Sequence, residues 1–114
     1  MPDYIPRRRW SRQPVTVDCR IEGISARASL RVSELSFGGG YVDTVAVFSP
    51  GSPVTVVMVL DGEEAAVSGR VVYTHPGMGF GFAFNLEDTL EPSRQRIVEF
   101  LKQQGGSAEP TDGG

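Results

Sequence analysis

Val15-Thr16-Val17-Asp18-Cys19-Arg20-Ile21-Glu22 alternates strictly, with Val15, Val17, Cys19 and Ile21 on one face and Thr16, Asp18, Arg20 and Glu22 on the other. A period of two is the signature of a strand with one face in a core and one in water. Gly23 interrupts it, and Ala26, Ala28, Leu30 and Val32 then alternate with Arg27, Ser29, Arg31 and Ser33, so a hairpin is predicted. Working outward, Gly38-Gly39-Gly40 marks a bend, Tyr41 to Thr44 a short third strand, and Ser49-Pro50-Gly51-Ser52-Pro53 the next turn. Residues 54–60 read as a fourth strand, Asp61-Gly62 as a two-residue hairpin turn, and Ala65 to Thr74 as a fifth strand. After His75-Pro76-Gly77, Phe80, Phe82 and Phe84 alternate with Gly81 and Ala83 in a sixth.

Six short strands with a turn every eight to twelve residues predict a small antiparallel barrel, because closure removes exposed sheet edges. The three phenylalanines are expected to fill it. Near Pro92 the period changes to that of a helix, and Leu90, Ile97, Phe100 and Leu101 are expected to pack one helical face on the barrel, with Pro92 in the first turn. The 114 residues fit one domain. Its expected divisions are a flexible switch loop over 1–13, a barrel plus helix over 14–102 and a disordered tail over 103–114, where Gly105, Gly106, Ser107, Pro110 and the final glycines offer nothing to bury. The fold class is therefore all-β with a C-terminal helix.

Charge is divided along the chain. Residues 1–31 carry seven arginines against three acids, whereas residues 32–114 carry four basic side chains against eleven acids. The arginine fork grips phosphate and the acceptor edge of guanine, so the basic end points to a small anionic partner or a nucleic acid. A long nucleic acid is the weakest of the partners considered and is not expected, because the acidic body would repel a polyanion beyond the arm. No apolar run reaches the roughly 18 residues of a membrane span, and a cytoplasmic, monomeric protein with no membrane insertion is expected.

Catalytic readings find few candidates. Cys19 lies on the apolar face of a strand and reads as an inert thiol, which also excludes an internal disulfide because it is the chain's single cysteine. The single histidine, His75, sits in a Pro-Gly turn and reads as solvated surface, with no partners spaced for a triad or a metal cluster. Glu63 and Glu64 beside the Asp-Gly turn read as solubilisers. Gly77 to Gly81 precedes a strand and lacks the following Lys-Ser/Thr, so it is not a phosphate loop. No enzyme, no metal and no cofactor are expected.

Two clusters remain. Arg7-Arg8-Arg9-Trp10-Ser11-Arg12 precedes the first strand, and Glu34-Leu35-Ser36-Phe37-Gly38-Gly39 lies where the second strand meets the glycine-rich bend. Read from the residues, the first is a solvated tail or an anion-binding arm. The second is a barrel corner or a place of close approach for a flat ligand, with Glu34 and Ser36 offering hydrogen-bonding groups at its rim.

Together they resemble the PilZ family, bacterial receptors of the second messenger cyclic di-GMP, whose pattern is RxxxR before the barrel and [D/N]xSxxG on it. Arg8 and Arg12 match the first motif, and Glu34, Ser36 and Gly39 fall on the second, with glutamate where the family has Asp or Asn. The resemblance implies that Arg8 and Arg12 clamp the ligand, that Ser36, Gly38 and Gly39 line the face receiving a guanine, and that Tyr73 occupies the place of a stacking aromatic. It also implies that Arg7, directly before the motif, goes with a stacked pair of ligand molecules, that Trp10 anchors the arm, and that ordering of the arm signals to a downstream protein. The extra methylene of Glu34 leaves a second possibility, a PilZ-like protein–protein adaptor that does not bind the nucleotide.

Overall fold

A computed structural model of the chain describes residues 13–23 and 30–104. Six strands, β1 (Gln13–Ile21), β2 (Leu30–Leu35), β3 (Gly39–Asp43), β4 (Pro53–Leu60), β5 (Glu63–His75) and β6 (Gly79–Phe84), are followed by a 3-10 turn at Leu86–Asp88 and one helix, α1 (Ser93–Gln103). Every pairing is antiparallel. The strand order β1-β2-β3-β6-β5-β4 closes into a barrel because β1 pairs with both β2 and β4.

The alternation in the sequence becomes the inside and outside of this barrel. Val17 and Ile21 of β1, Val32 of β2 and Val42 of β3 are buried, as are Val54, Val56, Met58 and Leu60 of β4. Phe80, Phe82 and Phe84 all enter the core, and Phe48 from the loop before β4 extends their row with its ring 4.7 Å from that of Phe80. Asp61 and Gly62 both take positive φ, 52° and 84°, which is the backbone a two-residue hairpin turn demands.

Three features depart from the sequence expectation. First, the glycine cluster is not a bend ahead of β3: Gly39 and Gly40 are its first two residues. A Cβ on Gly39 would collide with the carbonyl oxygen of Phe82, and one on Gly40 would lie 2.6 Å from the Glu34 carbonyl oxygen and 3.1 Å from the Phe82 ring. The missing side chains let β3 close on β6 over the aromatic core. Second, Leu90 does not join the helical face; it is 81% exposed, while Ile97 and Leu101 are buried and Phe100 is half-buried. Pro92 caps the helix from outside rather than occupying its first turn, and the Glu91 carboxylate, not a side chain at the cap itself, accepts from the Gln95 amide at 3.2 Å. Third, Glu63 and Glu64 are tethers as well as solubilisers. Arg96 of α1 donates to the Glu64 carbonyl oxygen (2.7 Å) and to the Glu63 carboxylate (3.2 Å), while Arg20 of β1 pairs with Glu64 at 2.8 Å. The expected strand residues 26–29 and the tail from Gly105 onward lie outside the described residues, as does most of the expected N-terminal loop.

Candidate functional site

Four outward positions fall in one row across the barrel wall: Glu34 of β2 is the register partner of Tyr41 on β3, Tyr41 of Gly81 on β6, and Gly81 of Tyr73 on β5. The row exists because Phe80, Phe82 and Phe84 take the inward positions of β6, which leaves Gly79, Gly81 and Ala83 outside. A β-bulge at Val72 lets Val71 point into the core while Tyr73 faces out beside Gly81.

Two tyrosines fill the bare strip. A Cβ on Gly81 would run into the Tyr73 ring, and one on Gly79 would lie 2.7 Å from Cε1 of Tyr41. His75 completes the group. Its Nδ1 is hydrogen-bonded to the Tyr41 hydroxyl at 3.0 Å, and ring centroids are 6.1 Å apart for Tyr41 and Tyr73, 5.8 Å for Tyr41 and His75, and 5.3 Å for Tyr73 and His75. Burial, then the neighbouring Tyr73, Asp43 and Glu34, pushes the Tyr41 phenol above its ordinary value, so the hydroxyl stays protonated. His75 is exposed, as its sequence reading as solvated surface expects, but it is the last residue of β5 rather than part of the turn and it joins this aromatic group. Tyr41 carried no sequence signal of its own. The available clue was the Gly-Phe alternation of β6, which leaves an outer strip that only large neighbours can cover.

The ExSxxG segment lies at the end of the same wall. Ser36 is only 5% exposed, and its hydroxyl sits inside the turn instead of at the rim. Its Oγ accepts from the Gly38 amide and donates to the Gly39 carbonyl oxygen, both at 3.2 Å, while the Ser36 amide donates to that same oxygen at 2.8 Å. Gly38 in turn accepts from the Phe84 amide at 3.0 Å, which ties the turn to β6. Ser36 is thus a scaffold of the bend, Gly38 and Gly39 are its backbone, and Glu34 and Tyr73 stand half-buried on the outer wall. Arg7, Arg8 and Arg12, with Trp10, lie outside the described residues.

Away from this wall, burial and the carboxylates of Asp18 and Asp43 push the Cys19 thiol up to about 11, which keeps it a thiol at neutral pH. Among the described residues no group of three or more His, Cys, Asp or Glu could hold a metal ion, and no helix is long and apolar enough to cross a membrane.

The family profile of the PilZ domain matches residues 6–103, spanning both arginine positions and the whole barrel and helix. Solved structures share the fold, two of which illustrate it. The Bacillus subtilis inhibitor of motility, MotI/DgrA, superposes with a TM-score of 0.66 at 15% identity over 88% of this chain and 52% of its own, so the chain spans about half of that protein. The PilZ domain of CeSA from a cellulose synthesizing bacterium gives 0.56 at 23% identity over 83% of this chain and 98% of its own. No curated protein matches the chain. A closed six-stranded barrel, a C-terminal helix and a family match over 98 of 114 positions lead to one assignment: the chain belongs to the PilZ domain family, a family of cyclic di-GMP receptors.

Proposed function

We propose that the protein is a cyclic di-GMP receptor whose ligand lies between the basic segment Arg7–Arg12 and the outer wall bearing Glu34, Gly39 and Tyr73. The observation that carries this reading is that the family match includes both RxxxR and ExSxxG, so the chain retains the arm and the wall together. Cyclic di-GMP has two phosphates and two guanines. Arg8 and Arg12 supply forked cations for the phosphates and for the O6/N7 edge, and the Glu34 carboxylate supplies an acceptor for the N1/N2 edge. Ser36 acts through the backbone, holding the turn in which Gly38 and Gly39 bring the wall close to the base. Arg7 adds the charge suited to a stacked pair of ligand molecules. Ligand held against residues 7–12 creates a composite surface of arm, nucleotide and barrel that a downstream protein reads.

Side-by-side calorimetric titrations of the natural protein, Glu34→Ala and Glu34→Asp with cyclic di-GMP test this reading. The natural protein binds, Glu34→Ala loses about 1–3 kcal/mol, and Glu34→Asp retains or gains affinity. Arg8→Ala or Arg12→Ala weakens binding by about ten- to a hundredfold, as the loss of one charge-assisted contact requires. Absence of binding by the natural protein, with melting unimpaired, overturns the receptor reading.

A further inference from the structure

The wall carries more aromatic surface than one stacking side chain requires. Tyr41 and Tyr73 approach from the strands on either side of β6, and both lean over its glycines. His75 touches both rings and is bonded through Nδ1 to the Tyr41 hydroxyl. Adjacent strands are about 4.8 Å apart, so β3 and β5 stand about 10 Å apart across β6, a width suited to a bicyclic base. Glu34 follows in the same row, on the far side of Tyr41 from Gly81. We propose that Tyr41, Tyr73 and His75 form one continuous shelf on which a guanine of the ligand stacks, with Tyr41 and His75 contributing directly and Glu34 meeting the donor edge of the stacked base.

Preorganisation of the rings favours stacking. A lone tyrosine on a strand must be immobilised when a base stacks on it, whereas here the rings brace one another and the hydrogen bond between Tyr41 and His75 fixes two of them beforehand. The bare glycines beneath let the tyrosine rings settle onto the sheet, and the three rings, tilted to one another by 35°, 39° and 49°, make a shallow aromatic surface rather than three isolated side chains. A carboxylate beside the shelf accepts from guanine N1 and N2 but meets the acceptor N1 of adenine, so the same row discriminates between the purines.

This proposal rests on the receptor reading, and the experiment separates the two. Because His75 is the only histidine of the chain, its imidazole C–H signals in proton NMR are assigned without ambiguity. On titration of the natural protein with cyclic di-GMP they should shift upfield under the ring current of a stacked base. Tyr41→Leu and His75→Leu should each weaken binding by about tenfold, a loss within the range for removing one base-stacking ring, and Tyr41→Phe should stay within about threefold of the natural affinity. If a leucine variant fails to fold, the His75 shift in the natural protein and the Tyr41→Phe affinity decide. Binding with the His75 signals unmoved, or with folded leucine variants of natural affinity, overturns the shelf and leaves the receptor intact. No binding at all overturns both.

Discussion

Cys19 and Ser36 show how much a side chain's role depends on what surrounds it. Sequence parity placed Cys19 toward the core, and the structure adds a reason for inertness that parity cannot supply: burial and two carboxylates move the thiol from 9.0 to about 11. At pH 8 that displacement lowers the thiolate fraction about a hundredfold, partly offset by the greater nucleophilicity of a more basic thiolate. Alkylation by iodoacetamide should therefore be at least about tenfold slower in the folded protein than in urea, and equal rates would show the thiol to be open to solvent. Ser36 has the opposite history. The resemblance to the PilZ motif implies that it binds ligand, but its hydroxyl is engaged with Gly38 and Gly39 inside the turn. Ser36→Ala leaves the Gly38 amide without that acceptor and should cost about 1–2 kcal/mol in urea unfolding with an unchanged slope. A change in ligand affinity with no change in stability would instead place Ser36 in direct contact with the nucleotide.

At the scale of elements, the strands were legible because each alternates, and β6 most clearly because phenylalanine and glycine differ so much in size. The start of β3 was not. Glycines carry no hydrophobic period, and only the closeness of the Phe82 and Glu34 carbonyl oxygens explains why Gly39 and Gly40 belong inside a strand. Helix α1 was legible by its period but not at its entry, because Leu90 continues the apolar spacing before the chain has become helical. The aromatic wall was half legible: Tyr73 by its place at a strand end, Tyr41 and His75 only once the register was known. The helix entry depends on Glu91, whose carboxylate takes two donors from Arg94 and one from the Gln95 amide. The bond from Arg94 is the main cause that holds this carboxyl below its ordinary value. A carboxyl with a lowered folded-state pKa stabilises the fold above its unfolded pKa, and that contribution disappears as pH falls through the folded value. Glu91→Gln should therefore melt below the natural protein at pH 7, and the gap should close as pH drops below the ordinary glutamate value of about 4.3. A gap that persists in acid would mean that Glu91 acts by packing rather than by charge.

At the scale of the whole molecule, the barrel, its closing strand β1 and helix α1 share one core cluster, so ligand bound to the wall should stabilise all of it together. A ligand that binds only the folded state adds about 2.7 kcal/mol at a hundredfold excess over Kd for one site. For a domain of this size each kcal/mol raises the melting temperature by about 4–8 °C, so cyclic di-GMP should raise it by about 10–20 °C, an effect too large to mistake for non-specific protection. The dependence on concentration carries further information. Above saturation each bound molecule contributes about 1.4 kcal/mol of stability per tenfold rise in free ligand, so a stacked pair doubles the slope that a single molecule gives. Because the body is acidic and the ligand carries only two charges, added salt should move this line modestly rather than abolish it, as it would for a long nucleic acid. A melting series in the natural protein and Arg7→Ala then tests the stoichiometric reading. The doubled slope should fall to the single value when Arg7 is removed, while the barrel's own melting point without ligand stays where it was. A single slope in both proteins would mean that one molecule binds and that Arg7 is only part of the arm's general charge, and a flat line in both would return the barrel to the role of a protein–protein adaptor.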